Sequence, residues 1–250
     1  MNHVSISAAA TQPDAGAPPP HPLDRTARAA LTGPHAHLAE RRGEVLRYPV
    51  DVSPFAALPD HPAERDWADA AALVGPGGQV SYTADDVLPP AGWEILARGQ
   101  GVQLVDDGVA AAPDEEAVRL TPADVPEMLA LVGLTRPGPF LPRTIELGVY
   151  LGIRRHGELI AMAGERLRPP GWTEISAVCT HPAHRGRGLA ARLVRAVAAG
   201  IRARGETPFL HAAAGNTDAI RLYERLGFRL RRTTVFQVVR APLTSDRPIP

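Results

Sequence analysis

The residues best suited to chemistry lie in one stretch, Arg185-Gly186-Arg187-Gly188-Leu189-Ala190. Two glycines there let a backbone approach an anion closely, and the run leads into apolar residues spaced for a helix, Leu189, Leu193, Val194, Val197 and Ile201. A helix that starts here aims free N–H groups and the positive end of its dipole at whatever sits before it, which suits a pyrophosphate. The two glycines could also do no more than make a tight turn. Gly186, Gly188 and Ala191 come within one residue of the dinucleotide fingerprint G-x-G-x-x-G. That fingerprint needs its first glycine directly after a strand and an acid ending the next strand, whereas here four residues intervene and Glu206 precedes the next strand.

A second group follows as Asn216, Ala219, Tyr223, Gly227 and Phe228. Upstream, Cys179, His181 and His184 have a spacing that could hold a metal. The lone Cys179 falls on the apolar face of a strand, which suits a small buried hydrophobe better than a nucleophile. His35, His37 and His211 have no evident partner.

These segments need elements to position them. The period of apolar residues predicts a strand over 172–180, the helix 189–204 closed by Gly205, a strand over 208–213, a helix 217–226 closed by Gly227 and a last strand over 233–239. In the strand, Ile175, Ala177 and Cys179 are expected on one face and Glu174, Ser176 and Val178 on the other. Upstream, 117–120 reads as a short strand, and Thr121-Pro122-Ala123-Asp124 as the start of a helix reaching about Gly133. His156-Gly157 joins strands 148–154 and 159–167 in a hairpin. The order implies a mixed α/β layer fold with one parallel crossover near its centre.

Residues 1–40 are rich in Ala and Pro and read as a disordered tail, with a weak helix possible near 24–41. Residues 41–115 read as a folded accessory region: a strand over 45–52, a helix over 62–73 anchored by Trp67, a strand over 79–83, and a hairpin over 93–105 through Gly99 and Gly101. A second folded domain is placed at 116–240, with 241–250 as a C-terminal tail. The accessory region could be a degenerate copy of the same fold, with a ligand cleft between the halves.

Composition narrows the classes. All 27 basic residues are arginine and none is lysine, which rules out a Walker A loop, a pyridoxal Schiff base and a lysine nucleophile. With 27 acidic residues in balance, a nucleic-acid partner and an anionic membrane surface are not expected. No apolar run is long enough for a membrane span, and one cysteine suits a reducing compartment, so cytoplasm is the expected location.

Arg185-x-x-Gly188-x-Ala190, following Val178-Cys179-Thr180-His181-Pro182, resembles the coenzyme A motif of the GNAT acetyltransferases, and the second group resembles that family's second signature. The wording from Glu174-Ile175 to His181-Pro182, with Pro208-Phe209-Leu210-His211 later, most resembles the glycine N-acyltransferase-like branch. The resemblance is firm over 172–228, weaker from 117, and covers about half the chain.

It implies a GNAT fold and acetyl-CoA as acyl donor to a primary amine of a small molecule or peptide, in a monomer or homodimer. Val178, Cys179 and Thr180 would meet the cofactor through their backbone, and the amides of Arg185, Gly186, Arg187, Gly188, Leu189 and Ala190 would hold the pyrophosphate, without metal. Acyl transfer needs a neutral amine, and Glu174 stands where many relatives carry a catalytic glutamate; burial would raise its pKa toward neutrality. It could equally be a structural acid paired with an arginine. Tyr223 would protonate the leaving thiolate or simply pack its helix, and Asn216 would contact the cofactor, cap its helix, or both. A noncatalytic acyl-CoA-binding or sensing module is the alternative.

Overall fold

A computed structural model describes residues 21–83 and 87–243. Its frame is an eight-stranded sheet of β4 (Gln79–Thr83), β5 (Glu94–Asp106), β6 (Val118–Arg119), β7 (Tyr150–Arg155), β8 (Glu158–Glu165), β9 (Trp172–Thr180), β10 (Thr207–Ala213) and β11 (Phe228–Arg240). The spatial order is β4-β11-β5-β10-β9-β8-β7-β6. A second sheet joins β1 (Glu40–Arg42), β2 (Val45–Arg47) and β3 (Ala56–Ala57). Within the large sheet β9 and β10 are the parallel pair, as the crossover through α4 (Leu189–Ala203) requires.

Helix α4 buries Leu193, Val194, Val197 and Ile201 on one face of the sheet, together with Ile153, Ile175 and Leu210. Each such aliphatic side chain contributes about 1.5–3 kcal/mol on leaving water. Helix α5 (Thr217–Leu226) lies on the same side and ends at Gly227, where φ of 101° needs a glycine. On the opposite face α3 (Val125–Thr135) covers the β7–β9 end through Met128 and Leu131. The hairpin β7–β8 turns at His156 and Gly157, both at positive φ, as a two-residue turn matching the sheet twist demands.

The first half of the chain departs from expectation. Residues 21–40 are ordered: Leu23, Ala27 and Leu31, on a 3-10 turn Pro22–Arg25 and helix α1 (Thr26–Leu31), pack with Tyr48, Phe55 and Phe209. Residues 1–20 of the expected tail lie outside the described residues. The hairpin expected over 93–105 is one uninterrupted strand, β5, lying between β10 and β11. Gly101 does not turn the chain; it lets the Phe236 ring of β11 lie where a side chain would stand. The division expected at 115/116 therefore falls inside one shared sheet, and the first half is not a second copy of the fold. Helix α2 (Glu64–Val74), anchored by Trp67, covers β4 beside Val80 and Tyr82. The strand expected over 45–52 shortens to β2, and Ala241, expected in the C-terminal tail, is buried and bonded to Gly78, while 244–250 lie outside the described residues.

Candidate active site

Strands β9 and β10 pair only from Trp172 to Ile175 and from Thr207 to Leu210, and then diverge into an open wedge. Within β9, Ala177 is an extra residue against β8 and adopts φ of 51°. Such a bulge bends the strand and reverses its side-chain alternation. Ile175 and Val178 consequently face α4, while Ala177 and Cys179 face α3. The even alternation expected for this strand is corrected by that one residue, and no short-range pattern announced it. Past Ile175, the β9 edge from Val178 to Thr180 has no β10 partner, which leaves main-chain groups open to a ligand in the wedge.

The wedge leads to the glycine turn. His181 caps a 3-10 turn Pro182–His184 through its ring, and Gly186 and Gly188 both hold φ of 75°. Nothing lies within 4 Å of a side chain built on either glycine, so their role is backbone conformation and open space, not packing. Gly188 caps α4 without a side chain, and among the described residues the N–H groups of Gly186 to Ala191 meet no backbone carbonyl. Six donors with the helix dipole behind them form an anion site. Arg187 is exposed, and Arg185 is turned back toward the Thr180 carbonyl at 3.4 Å. Two buried polar atoms in this stretch, Thr180 Oγ1 and His184 Nδ1, have no hydrogen-bond partner among the described residues, as expected of a site shaped for a polar ligand.

Tyr223 enters from α5, is 8% exposed and packs edge-on to Phe228. Burial, with the nearby Cys179 thiol adding, pushes its phenol up to about 12, so it keeps its proton near neutrality. Asn216 caps α5 by accepting from the Ala219 amide at 3.3 Å. Cys179 is buried, and desolvation raises its thiol to about 11, which removes it as a nucleophile. Among the described residues no cluster of His, Cys, Asp and Glu could hold a metal.

Glu174 is not placed as a base. Its carboxylate is fully buried and accepts two bonds from Arg166, at 2.9 and 2.6 Å, one from the Leu167 amide at 3.3 Å, and one from His211 Nδ1 at 2.8 Å. Burial alone would raise its pKa, but the charge and hydrogen bonds of Arg166, helped by His211, outweigh it and hold the group well below the usual carboxylate range. The expectation of a carboxylate raised toward neutrality is thus reversed by a guanidinium the sequence could not place beside it.

Beyond Glu174 the polar chain continues across the sheet. Gln103 on β5 lies 3.1 Å from His211 Nε2, donates to the Leu23 carbonyl, and accepts from Arg231, which pairs with Asp24. Since the Gln103 oxygen faces Arg231, its nitrogen faces His211, and that fixes His211 as the Nδ1–H tautomer donating to Glu174. His211, Arg166 and Gln103 were missed because their partners come from five separated strands and turns. His35 also has a buried partner, the Tyr48 hydroxyl at 2.9 Å.

This geometry has relatives. The chain is 42% identical to a GNAT-family protein from Novosphingobium aromaticivorans DSM 12444 whose structure superposes with a TM-score of 0.82, covering 90% of this chain and 100% of that one. The chain belongs to the GNAT acetyltransferase family. Residues 150–237 match the FR47-like protein family. A segment of 83 residues is 36% identical to the N-alpha-acetyltransferase RimI of Mycobacterium tuberculosis (strain ATCC 25618 / H37Rv), covering 32% of this chain and about half, 51%, of that relative's length. A GCN5-related N-acetyltransferase from Kribbella flavida, at 20% identity and a TM-score of 0.52, shares the fold.

Proposed function

We propose that the protein transfers an acetyl group from acetyl-CoA to a primary amine. The observation that carries this reading is the meeting, at one end of β9, of an open wedge between parallel strands and a turn with six unengaged amides. The pantetheine arm lies along Val178, Cys179 and Thr180, and the diphosphate lies on the amides of Gly186 to Ala190, with Asn216 beside it at the start of α5; the Arg185 amide, expected to join them, is engaged by the Pro182 carbonyl at 3.3 Å.

The amine lone pair attacks the thioester carbonyl and the C–N bond forms; the nitrogen of the tetrahedral intermediate then loses a proton to solvent, and the C–S bond breaks with loss of the CoA thiolate. An N–H of the β9 edge, from Val178 or Cys179, steadies the oxyanion. Tyr223 donates a hydrogen bond to the departing sulfur; a phenol raised to about 12 assists a thiolate chiefly in this way. Glu174 acts as a positioning acid, so the amine sheds its proton to solvent and reacts from its free-base fraction. At neutral pH an α-amine (pKa about 8) offers a larger free-base fraction than an alkylamine near 10.4, so acceptors are compared per free base. The Glu174-Ile175 to His181-Pro182 wording supports the glycine N-acyltransferase-like branch.

With Glu174 engaged by Arg166, its presence does not separate an enzyme from an acyl-CoA sensor, and Tyr223 carries that distinction. Thiol release from acetyl-CoA across an amine panel, with mass detection of the acetylated product, decides. The enzyme reading expects turnover whose log kcat/KM rises with unit slope up to the pKa of each amine. Saturable acetyl-CoA binding with no acetylated product from any amine would leave the sensor.

A further inference from the structure

A cavity of about 510 Å³ opens between α1, the segment after β3, and β4, beside Arg25, Leu58, Asp60 and Leu88. Below it lies a narrow void of about 10 Å³ floored by Arg166, Glu174, His211 and Phe236. Ala27, Ala56, Tyr82 and Thr83 line both, so they form a neck joining the outer cavity to the buried polar chain. The floor is in register with the wedge: Glu174 pairs with Phe209 one step before β9 and β10 part, and His211 stands one step beyond the last paired residue, Leu210. Gly101 of β5 makes room for the Phe236 ring that helps to floor the void.

Resting on the acetyltransferase reading above, we propose that this cavity and neck are the acceptor vestibule, and that the acceptor is a small molecule with an apolar body and its primary amine on a slender arm. The cavity has the size of a small-molecule site. The neck has room for about one water-sized centre, so side-chain adjustment admits an unbranched methylene arm and not the backbone of a peptide. Leu58, Val87, Leu88 and the Tyr82 ring offer apolar wall. The mouth acids are already engaged, Asp60 by Arg25 and Asp24 by Arg231 and Arg232, and Arg28 pairs with Glu44, so nothing there gathers a basic protein tail. At the floor the Glu174 charge is already met by Arg166, which suits an uncharged amine. The accessory half of the chain thereby acquires a purpose: it roofs the acceptor path that the cofactor half leaves open.

The test uses the full-length protein, acetyl-CoA, a series of linear alkylamines and phenylalkylamines, and short peptides with free N-termini. Thr83→Trp fills the neck from an edge strand, and Leu88→Glu charges the mouth from a position 57% exposed. Phenylalkylamines should exceed peptides at least tenfold in kcat/KM. Thr83→Trp should lower that value at least tenfold and Leu88→Glu severalfold, with acetyl-CoA affinity and melting temperature unchanged. Preference for peptides, or normal amine turnover in Thr83→Trp, overturns the vestibule and leaves the acetyltransferase reading standing. Calorimetry with the N-acetylated phenylalkylamine reads the cavity without turnover. Saturation of wild type but not Thr83→Trp supports the vestibule even if no amine is acetylated, and absence of binding to wild type overturns it.

Discussion

The two faces of the sheet solve their problems differently. On the α4 face, the proposed cofactor site is local: a strand, a turn and a helix consecutive in sequence supply the wedge edge and the amides, and glycines at 186 and 188 set the shape. On the opposite face, Arg166, Glu174, His211, Gln103 and Arg231 come from five neighbouring segments and meet only when the sheet is assembled. Backbone chemistry is written in short motifs, whereas a side-chain network is written in strand order.

Breaking the network should have the largest effect. Glu174→Gln leaves the Arg166 guanidinium buried without its partner and should cost about 3–5 kcal/mol in urea unfolding. Adding Arg166→Met should restore part of that loss. The same pair makes the fold acid-sensitive: Glu174 has its folded pKa depressed, so its stabilisation is present above the unfolded value near 4.5 and is lost as pH falls below it. Were Glu174 instead the base, Glu174→Gln would keep its stability and lose kcat alone.

Tyr223→Phe, on the cofactor face, should lower kcat by about 10²-fold with acetyl-CoA affinity unchanged. An equal loss in both, or in neither, would reduce Tyr223 to packing. Gly188→Val should cost about 1–2 kcal/mol because φ of 75° is strained for any side chain, and it should weaken acetyl-CoA at least tenfold.

The smallest effect belongs to the layer over the network. Burial lowers His35 to about 4, so the native state holds it neutral while the unfolded chain binds a proton below its ordinary 6.5. Stability should therefore fall by about 1 kcal/mol between pH 6.5 and about 5.5, and His35→Phe should flatten that slope.

The pattern of what could be read follows the same division. Helices α4 and α5, strands β9 and β10 and the glycine turn were legible because apolar period and cap residues act within a few positions. The Ala177 bulge was not, because an alanine at positive φ has no sequence signal and is set by β8 alongside. Gly99 and Gly101 were misread as a turn because a glycine that receives a neighbouring ring looks, in sequence, like one that bends the chain. Glu174 was found as a residue and left between base and Arg-paired acid, since the sign of its pKa shift depends on Arg166 across the β8–β9 connection.

The central claim is that the amides at the start of α4 hold the diphosphate of acetyl-CoA. Isothermal titration of the full-length protein with acetyl-CoA and with CoA tests it most directly. The account predicts one saturable site for each, weakened at least tenfold in Gly188→Val and unaltered in Tyr223→Phe. Folded wild-type protein that takes up neither ligand, or Gly188→Val that binds both as well as wild type does, would contradict it.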